Sequence, residues 1–284
     1  MVNPRMLHAL SFDVEEYFQV ANLRGHFARD DWDGVPSRLS LGMDRILSAL
    51  ERHRAHATFF FLGWIAERHP EYVKRVLAAG HEVASHGYEH LFLFDMDREQ
   101  FVRDLQRTEE ALMAAGAPRP RGFRASTFTL TRKTWWAFDV LVERGYLYDS
   151  SVHPVRHPVY GVPDFEPGIS LVEAAGSSVV EFPVSTLRFC GANLPVGGGG
   201  YFRLLPGALT RAAVRSLERS GRPASIYLHP WEFDPDQPRC SASPTQRWRH
   251  YLNLDRTLPR LEELLGAFRF GSLREVLTEQ GRLS

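Results

Sequence analysis

The chain has 284 residues, 44% hydrophobic and 24% charged, as expected of a soluble globular protein with one large core or two modest ones. Its 34 basic and 34 acidic residues cancel, so no basic field is available to hold nucleic acid or an anionic membrane. The longest apolar run, Ala57 to Ala66, falls well short of the ~20 residues that span a bilayer, which argues against stable membrane insertion. The first residues, Met1 to Phe12, contain no apolar signal core, so a cytoplasmic location is expected. Cys190 and Cys240 are too few and too far apart to suggest a disulfide framework.

Strand and helix signals alternate along the chain. Leu7 to Phe12 reads as a strand, followed by a loop rich in Asp, Trp and Gly and a helix over Ser37 to His53. Thr58-Phe-Phe-Phe-Leu62 is short, β-rich and apolar on both faces, as a buried parallel strand is. The next helix carries Pro70 in its first turn and ends near Gly80. A strand over His81 to Ser85 leads to His86. Asp97 and Gln100 then open a helix as a capping pair, with Phe101, Leu105 and Leu112 on one stripe. Arg121 to Ala125 reads as a strand, Thr131 to Arg144 as a helix, and Tyr146 to Asp149 as a strand.

After Ser150 the rhythm breaks. Residues 151–178 are rich in Pro, Gly and His and read as an irregular excursion. Val179 to Val184 resumes as a strand. Gly197 to Gly200 lacks the Lys-Ser/Thr of a phosphate loop and reads as a flexible lid or tight turn. Pro206 to Ser220 is a helix, and Ala224 to Leu228 a strand ending at His229. Beyond about residue 240 comes a helical extension, with Leu258 to Leu265 and a last helix opened by the Ser272/Glu275 capping box. No internal repeat and no composition break appears, so residues 1–284 read as one domain. Seven or eight strands alternating with helices predict a single α/β barrel. A doubly wound sheet is the alternative, but no glycine-rich phosphate turn follows the first strand.

Polar residues gather at the ends of these strands: Asp13 and Glu15 after the first, His86 and His90 after the third, Arg124 after the fourth, His229 after the last. A barrel brings such ends to one rim, where catalytic groups sit. Two imidazoles four residues apart can share a metal, and Gly87 between them argues for a turn rather than a helix. In an extended strand Asp13 and Glu15 share a face while Val14 points away. Either Glu15 or Glu16 can supply a carboxylate ligand, and Glu15 has the better position.

These segments resemble the polysaccharide deacetylases of the NodB-homology group, carbohydrate esterase family four. The ordered motifs are Ser11-Phe-Asp-Val-Glu15, His86-Gly-Tyr-Glu-His90, Arg124-Ala-Ser-Thr127, Asp149-Ser-Ser-Val152 and Tyr227-Leu-His229. Asp-Val-Glu-Glu-Tyr-Phe, Gly-Gly-Gly-Tyr-Phe-Arg-Leu-Leu-Pro and Tyr-Leu-Asn-Leu-Asp further resemble the exosortase/PEP-CTERM exopolysaccharide-locus members. The resemblance implies a distorted (β/α) barrel that removes N-acetyl groups from an acetylated polysaccharide or oligosaccharide with a divalent metal. The implied ligands are Glu15, His86 and His90, and zinc suits that set, with cobalt or nickel able to substitute. Asp13 is the implied general base, paired with Arg124; His229 is the implied acid, oriented by Asp149; the Thr127 N–H is the implied oxyanion donor. The chain departs from the family pattern at Val14, where an aspartate ligand is usual, at Ser126 and Thr127, where proline and an aromatic are usual, and at Val152. Trp231, Tyr88 and Tyr201 can stack on sugar rings or serve packing, and His153 and His157 read as structural. Two other readings compete: a related amidohydrolase acting on a small cyclic amide or ureide, and a non-catalytic carbohydrate-binding protein.

Overall fold

The structure, a computed structural model, describes residues 6–189 and 191–283; residues 1–5, Cys190 and Ser284 lie outside the described residues. The first half alternates strictly: β1 (Leu7–Val14), α1 (Leu39–His53), β2 (Thr58–Phe61), α2 (Gly63–Arg68), α3 (Pro70–Ala78), β3 (Glu82–Ser85), α4 (Arg98–Ala114), β4 (Gly122–Phe123), α5 (Ala137–Glu143) and β5 (Tyr148–Asp149). The second half is less regular: β6 (Ser170–Ala174), β7 (Ser177–Glu181), β8 (Thr186–Phe189), β9 (Ala192–Pro195), α6 (Gly199–Leu204), α7 (Gly207–Arg219), β10 (Ser225–Leu228), α8 (Pro244–Tyr251), α9 (Thr257–Ala267), β11 (Arg269–Gly271) and α10 (Leu273–Glu279).

Among the described residues, seven parallel strands run in the order β10-β1-β2-β3-β4-β5-β7. The ring closes irregularly. Beyond β7, Ser185 N–H donates to Ser225 O of β10 at 3.1 Å, and Tyr227 N–H donates to Gly197 O at 2.8 Å. This is the α/β barrel expected from the alternation, distorted as the family resemblance implies. β11 pairs with β1 at Leu7 to Ala9, on the stretch where β2 has not yet begun.

Period-two alternation along β1 sets the two layers of the core. Leu10, Phe12 and Val14 enter the large apolar cluster beneath α1, α3 and α9, with Ile46, Val73 and Leu261. Ala9 packs inside the barrel with Phe60, Ala84 and Tyr148. Ser11, Asp13 and Glu15 are buried too. The face that carries chemistry is thus chosen by the residues between, which the helix layer claims. The expected capping boxes form: Asp97 and Gln100 open α4, and Ser272 and Glu275 open α10.

Two segments differ from the sequence reading. The excursion over 151–178 contains β6, which pairs antiparallel with β7 through a tight turn with Ala175 (φ 46°) and Gly176 (φ 72°) in the left-handed region. Of the two readings of the Gly197–Gly200 run, lid or tight turn, the structure has the tight one: a bend at Gly197 and Gly198 that enters α6 against the barrel wall. A Cβ on Gly197 would lie 2.4 Å from Ser225 O, and one on Gly199 would lie 2.1 Å from Glu232 Oε1. Glycine is used here so that backbone can approach β10 and its following turn. Among the described residues, no helix is long and apolar enough to cross a membrane.

Candidate metal centre and active site

The strand ends converge as the barrel requires. Glu15, His86 and His90 are all buried, and one ligand atom from each lies within 4.8 Å of the others. His90 Nε2 stands 3.0 Å from Glu15 Oε2. His86 directs Nδ1 at Arg124 O, 2.8 Å away, which places the proton on Nδ1 and leaves Nε2 as a lone-pair donor. Burial pushes the His86 imidazole down to about 4, so it is neutral near pH 7. Burial opposes the charge on Glu15, but His90 and His229 beside it outweigh that and hold its carboxyl at about 2. A neutral imidazole and an ionised carboxylate are the protonation states a metal ligand needs. The N/N/O donor set and its spacing therefore fit a divalent cation.

Glu16, the competing carboxylate, is committed elsewhere. It accepts from Ser37 Oγ, from Arg38 N–H at 3.2 Å and from Leu39 N–H at 3.3 Å, so it caps the start of α1.

Asp13 and Arg124 form a buried pair across the barrel, with Nη1 2.6 Å from Oδ1. The guanidinium also donates to Ser11 Oγ at 2.8 Å, to Ser150 O at 3.0 Å and to Ser150 Oγ at 2.9 Å, and it lies over the Phe60 ring. Every part of the fork has a partner, as a buried charge demands.

His229 closes the site from β10. Its Nε2 is 3.4 Å from Glu15 Oε1, and its side chain keeps 17% exposure. The residue that orients it is not the expected Asp149. Among the described residues Asp149 makes no hydrogen bond to His229; it accepts from Ser151 N–H at 2.9 Å and Ser151 Oγ at 2.6 Å. The reason is topological. β5 lies beside β7, in a register that sets Asp149 opposite Glu181, whereas β10 lies across the ring closure. The carboxylate that holds His229 Nδ1 is Glu232, at 2.6 Å, itself anchored by Arg203 Nε at 2.5 Å. Burial works against a charge on His229, but Glu15 and Glu232 lift its pKa to about 9.

Thr127 and Phe128 take left-handed conformations, φ 54° and 55°, as does His90 at 56°. Such backbone is costly for residues with side chains and gathers at functional sites. Among the described residues, the Thr127 N–H has no acceptor.

Sequence reasoning missed Glu232 and Arg203 as parts of the site, and named Trp231 only as a ring that could stack on sugar or pack. Trp231 Nε1 donates to Glu15 Oε1 at 3.2 Å, and its ring lies between His229 and His250. A signal existed for Glu232: His229-Pro-Trp-Glu232 has the three-residue spacing of a capping box, which the turn forms. Nothing in the sequence pointed to Arg203. Tyr88 is buried, with its hydroxyl on Glu67 and Arg107 over its ring, so it serves packing.

Comparison with known proteins agrees with this architecture. Residues 31–141 match the family model "Polysaccharide deacetylase", and residues 150–278 match a domain of unknown function, DUF3473. Over 71 residues the chain is 44% identical to a chitooligosaccharide deacetylase of Rhizobium leguminosarum bv. trifolii, covering 25% of this chain and 33% of that protein. It is 38% identical over 77 residues to a peptidoglycan-N-acetylglucosamine deacetylase of Bacillus cereus, covering 26% of this chain and 28% of that protein. The chain thus spans about a third or less of these curated relatives. Among solved structures it resembles a Mycobacterium smegmatis protein described as a polysaccharide deacetylase. The TM-score is 0.65 and the identity 20%, with 100% of this chain and 94% of that one covered. It also resembles a family 4 carbohydrate esterase of Streptomyces lividans, with TM-score 0.50 and 18% identity, over 95% of this chain and 92% of that one. The fold is that of the family 4 carbohydrate esterases. Residues 31–141 are thus similar to the polysaccharide deacetylase family.

Proposed function

We propose that the chain is a metal-dependent hydrolase that removes N-acetyl groups from an amino-sugar polysaccharide, in exopolysaccharide biosynthesis. The observation that carries the reading is one buried cluster of Glu15, His86 and His90 flanked by two separately anchored groups, Asp13 on Arg124 and His229 on Glu232. The exopolysaccharide setting rests on the motif resemblance alone.

Glu15, His86 and His90 would hold the cation, and zinc suits two nitrogens and one oxygen, with cobalt or nickel able to replace it. Bound there, a divalent ion supplies Lewis acidity, making water more acidic and an acetyl carbonyl more electrophilic. The protein's own groups do the rest. Asp13, kept in place by Arg124, takes a proton from the attacking water as general base. The Thr127 N–H, free and fixed by a strained backbone, donates to the oxygen that gains charge as the carbonyl becomes tetrahedral. His229, protonated and held through Nδ1 by Glu232, gives a proton to the leaving amine. Trp231 and Arg203 keep Glu15 and Glu232 in register. The products are acetate and a free amino sugar.

Acetate release from an N-acetylglucosamine oligomer by metal-loaded protein tests the reading. Release that stops with a chelator and returns with zinc is expected. Turnover of a cyclic ureide with no acetate from any acetylated glycan would transfer the site to the amidohydrolase reading. Binding of glycan with no turnover of either substrate would leave a carbohydrate-binding protein.

A further inference from the structure

A second concavity lies wholly within the segment that matches a domain of unknown function. The excursion after β5 and the β8–β9 hairpin enclose a groove of about 560 Å³, with Tyr201 of α6 also in its lining. Its shape is built in. Asn193 Nδ2 donates to Pro154 O at 2.9 Å and ties hairpin to excursion. A Cβ on Gly161, whose φ is 104°, would lie 2.2 Å from Val155 O, so the excursion folds back on itself tightly. His157 stacks on Tyr160 at 3.8 Å.

The lining is one-sided in charge. Arg156 and Arg188 line the groove, and no Asp or Glu does. Neither arginine has an ion pair or side-chain hydrogen bond among the described residues, whereas Arg24, Arg68 and Arg98 elsewhere on the surface are held by Asp95, Asp33 and Glu143. Arg249 of α8, outside the lining, also acts electrostatically on His157 and Tyr160. In a chain of zero net charge this is a local concentration of unspent cations. The groove is joined to the candidate site by ring contacts: Tyr160 on Phe128 at 6.2 Å, Phe128 on Tyr227 at 4.7 Å, and Tyr227 on His229 at 5.4 Å.

We propose that this groove binds an anionic unit of the glycan, a sugar carrying a carboxylate or a phosphate, alongside the acetylated residue in the active site. Arginine forks match either anion in two-point geometry, and the rings of Tyr160 and Tyr201 offer an apolar platform beside them. The glycan part rests on the deacetylase reading; the anion preference rests on the groove.

Isothermal titration of the metal-loaded full chain tests it with three probes: an unacetylated oligoglucuronate, glucose 6-phosphate, and a neutral oligoglucose. An anionic probe is expected to bind at least about tenfold tighter than the neutral one, and to lose about tenfold or more in R156Q/R188Q. The probe that does so identifies carboxylate or phosphate. A control at the paired surface residue, R98Q, leaves binding unchanged. If neither anion exceeds the neutral probe, or R156Q/R188Q binds like wild type while folded by circular dichroism, the proposal is overturned. Acetate release from a neutral N-acetylglucosamine oligomer by the same variant separates the two claims. Normal release without anion binding removes the groove and keeps the deacetylase; anion binding lost in the variant, with no release by any form, keeps the groove and removes the deacetylase.

Discussion

Glu232 is the sharpest place to perturb the site, because it serves two partners, the part-exposed His229 and the buried Arg203. Its Oε1 faces His229 Nδ1 at 2.6 Å and its Oε2 receives Arg203 Nε at 2.5 Å, and its side chain is fully buried. Glu232→Ala leaves Arg203 only the carbonyls of Arg249, His250 and Leu252 and no countercharge. Breaking a buried pair from one side costs about 3–5 kcal/mol, against a total stability of order 5–15 kcal/mol, so the variant folds but melts lower. At roughly 2–4 °C per kcal/mol for a chain of this size, Tm falls by about 6–20 °C. Glu232→Gln keeps shape and one acceptor and is milder. It removes the negative charge that, after Glu15, lifts His229. A group with a raised pKa is protonated at low pH and loses its proton as pH rises through that value. The alkaline limb of kcat therefore moves to lower pH in Glu232→Gln. General-acid catalysis as a whole is worth roughly 10²–10⁴-fold, so a misheld His229 loses part of that, about tenfold or more. Thermal melts and a pH–rate profile of acetate release read both effects. A Glu232→Gln enzyme with wild-type kcat and an unmoved alkaline limb would refute the orienting role, whatever its Tm.

Asp13→Asn removes the base while keeping its size. We expect kcat to fall roughly 10²–10⁴-fold with metal content retained, and rates near wild type would exclude the role. The Asp149–Glu181 pair gives a pH effect on stability. Burial raises both carboxyls, and the Asp149 charge raises Glu181 further, while the hydrogen bond from Glu181 only partly offsets the rise at Asp149, so the pair favours the protonated form in the folded state. Their contribution is complete at pH below the unfolded carboxyl pKa and is lost as pH rises through the folded values. Between about pH 5 and about pH 8, Glu181→Gln should lose less Tm than wild type; an equal loss in both would contradict the pairing.

How far the site could be read in advance follows from the range of the interactions. β1 was legible because alternation is local: Leu10, Phe12 and Val14 belong to the helix layer, so Asp13 and Glu15 turn inward. The capping boxes at Asp97 and Ser272 are equally local. The choice of Glu15 over Glu16 needed the backbone amides of Arg38 and Leu39, brought in by a long loop. The error at Asp149 came from register and strand order: a partner across the ring closure leaves no trace in spacing, whereas Glu181 sits beside it by β5–β7 pairing. β6 hid in a Pro- and Gly-rich stretch because its pairing depends on β7, not on its own composition.

The central claim is that Glu15, His86 and His90 together hold one divalent ion. Metal content of purified protein after zinc loading and desalting, in wild type, His86→Ala, Glu15→Gln and Glu16→Gln, tests it directly. One ion per chain is expected in wild type and Glu16→Gln, and loss of that ion in His86→Ala and Glu15→Gln. An ion retained in Glu15→Gln but lost in Glu16→Gln, or equal content in all four, would contradict it.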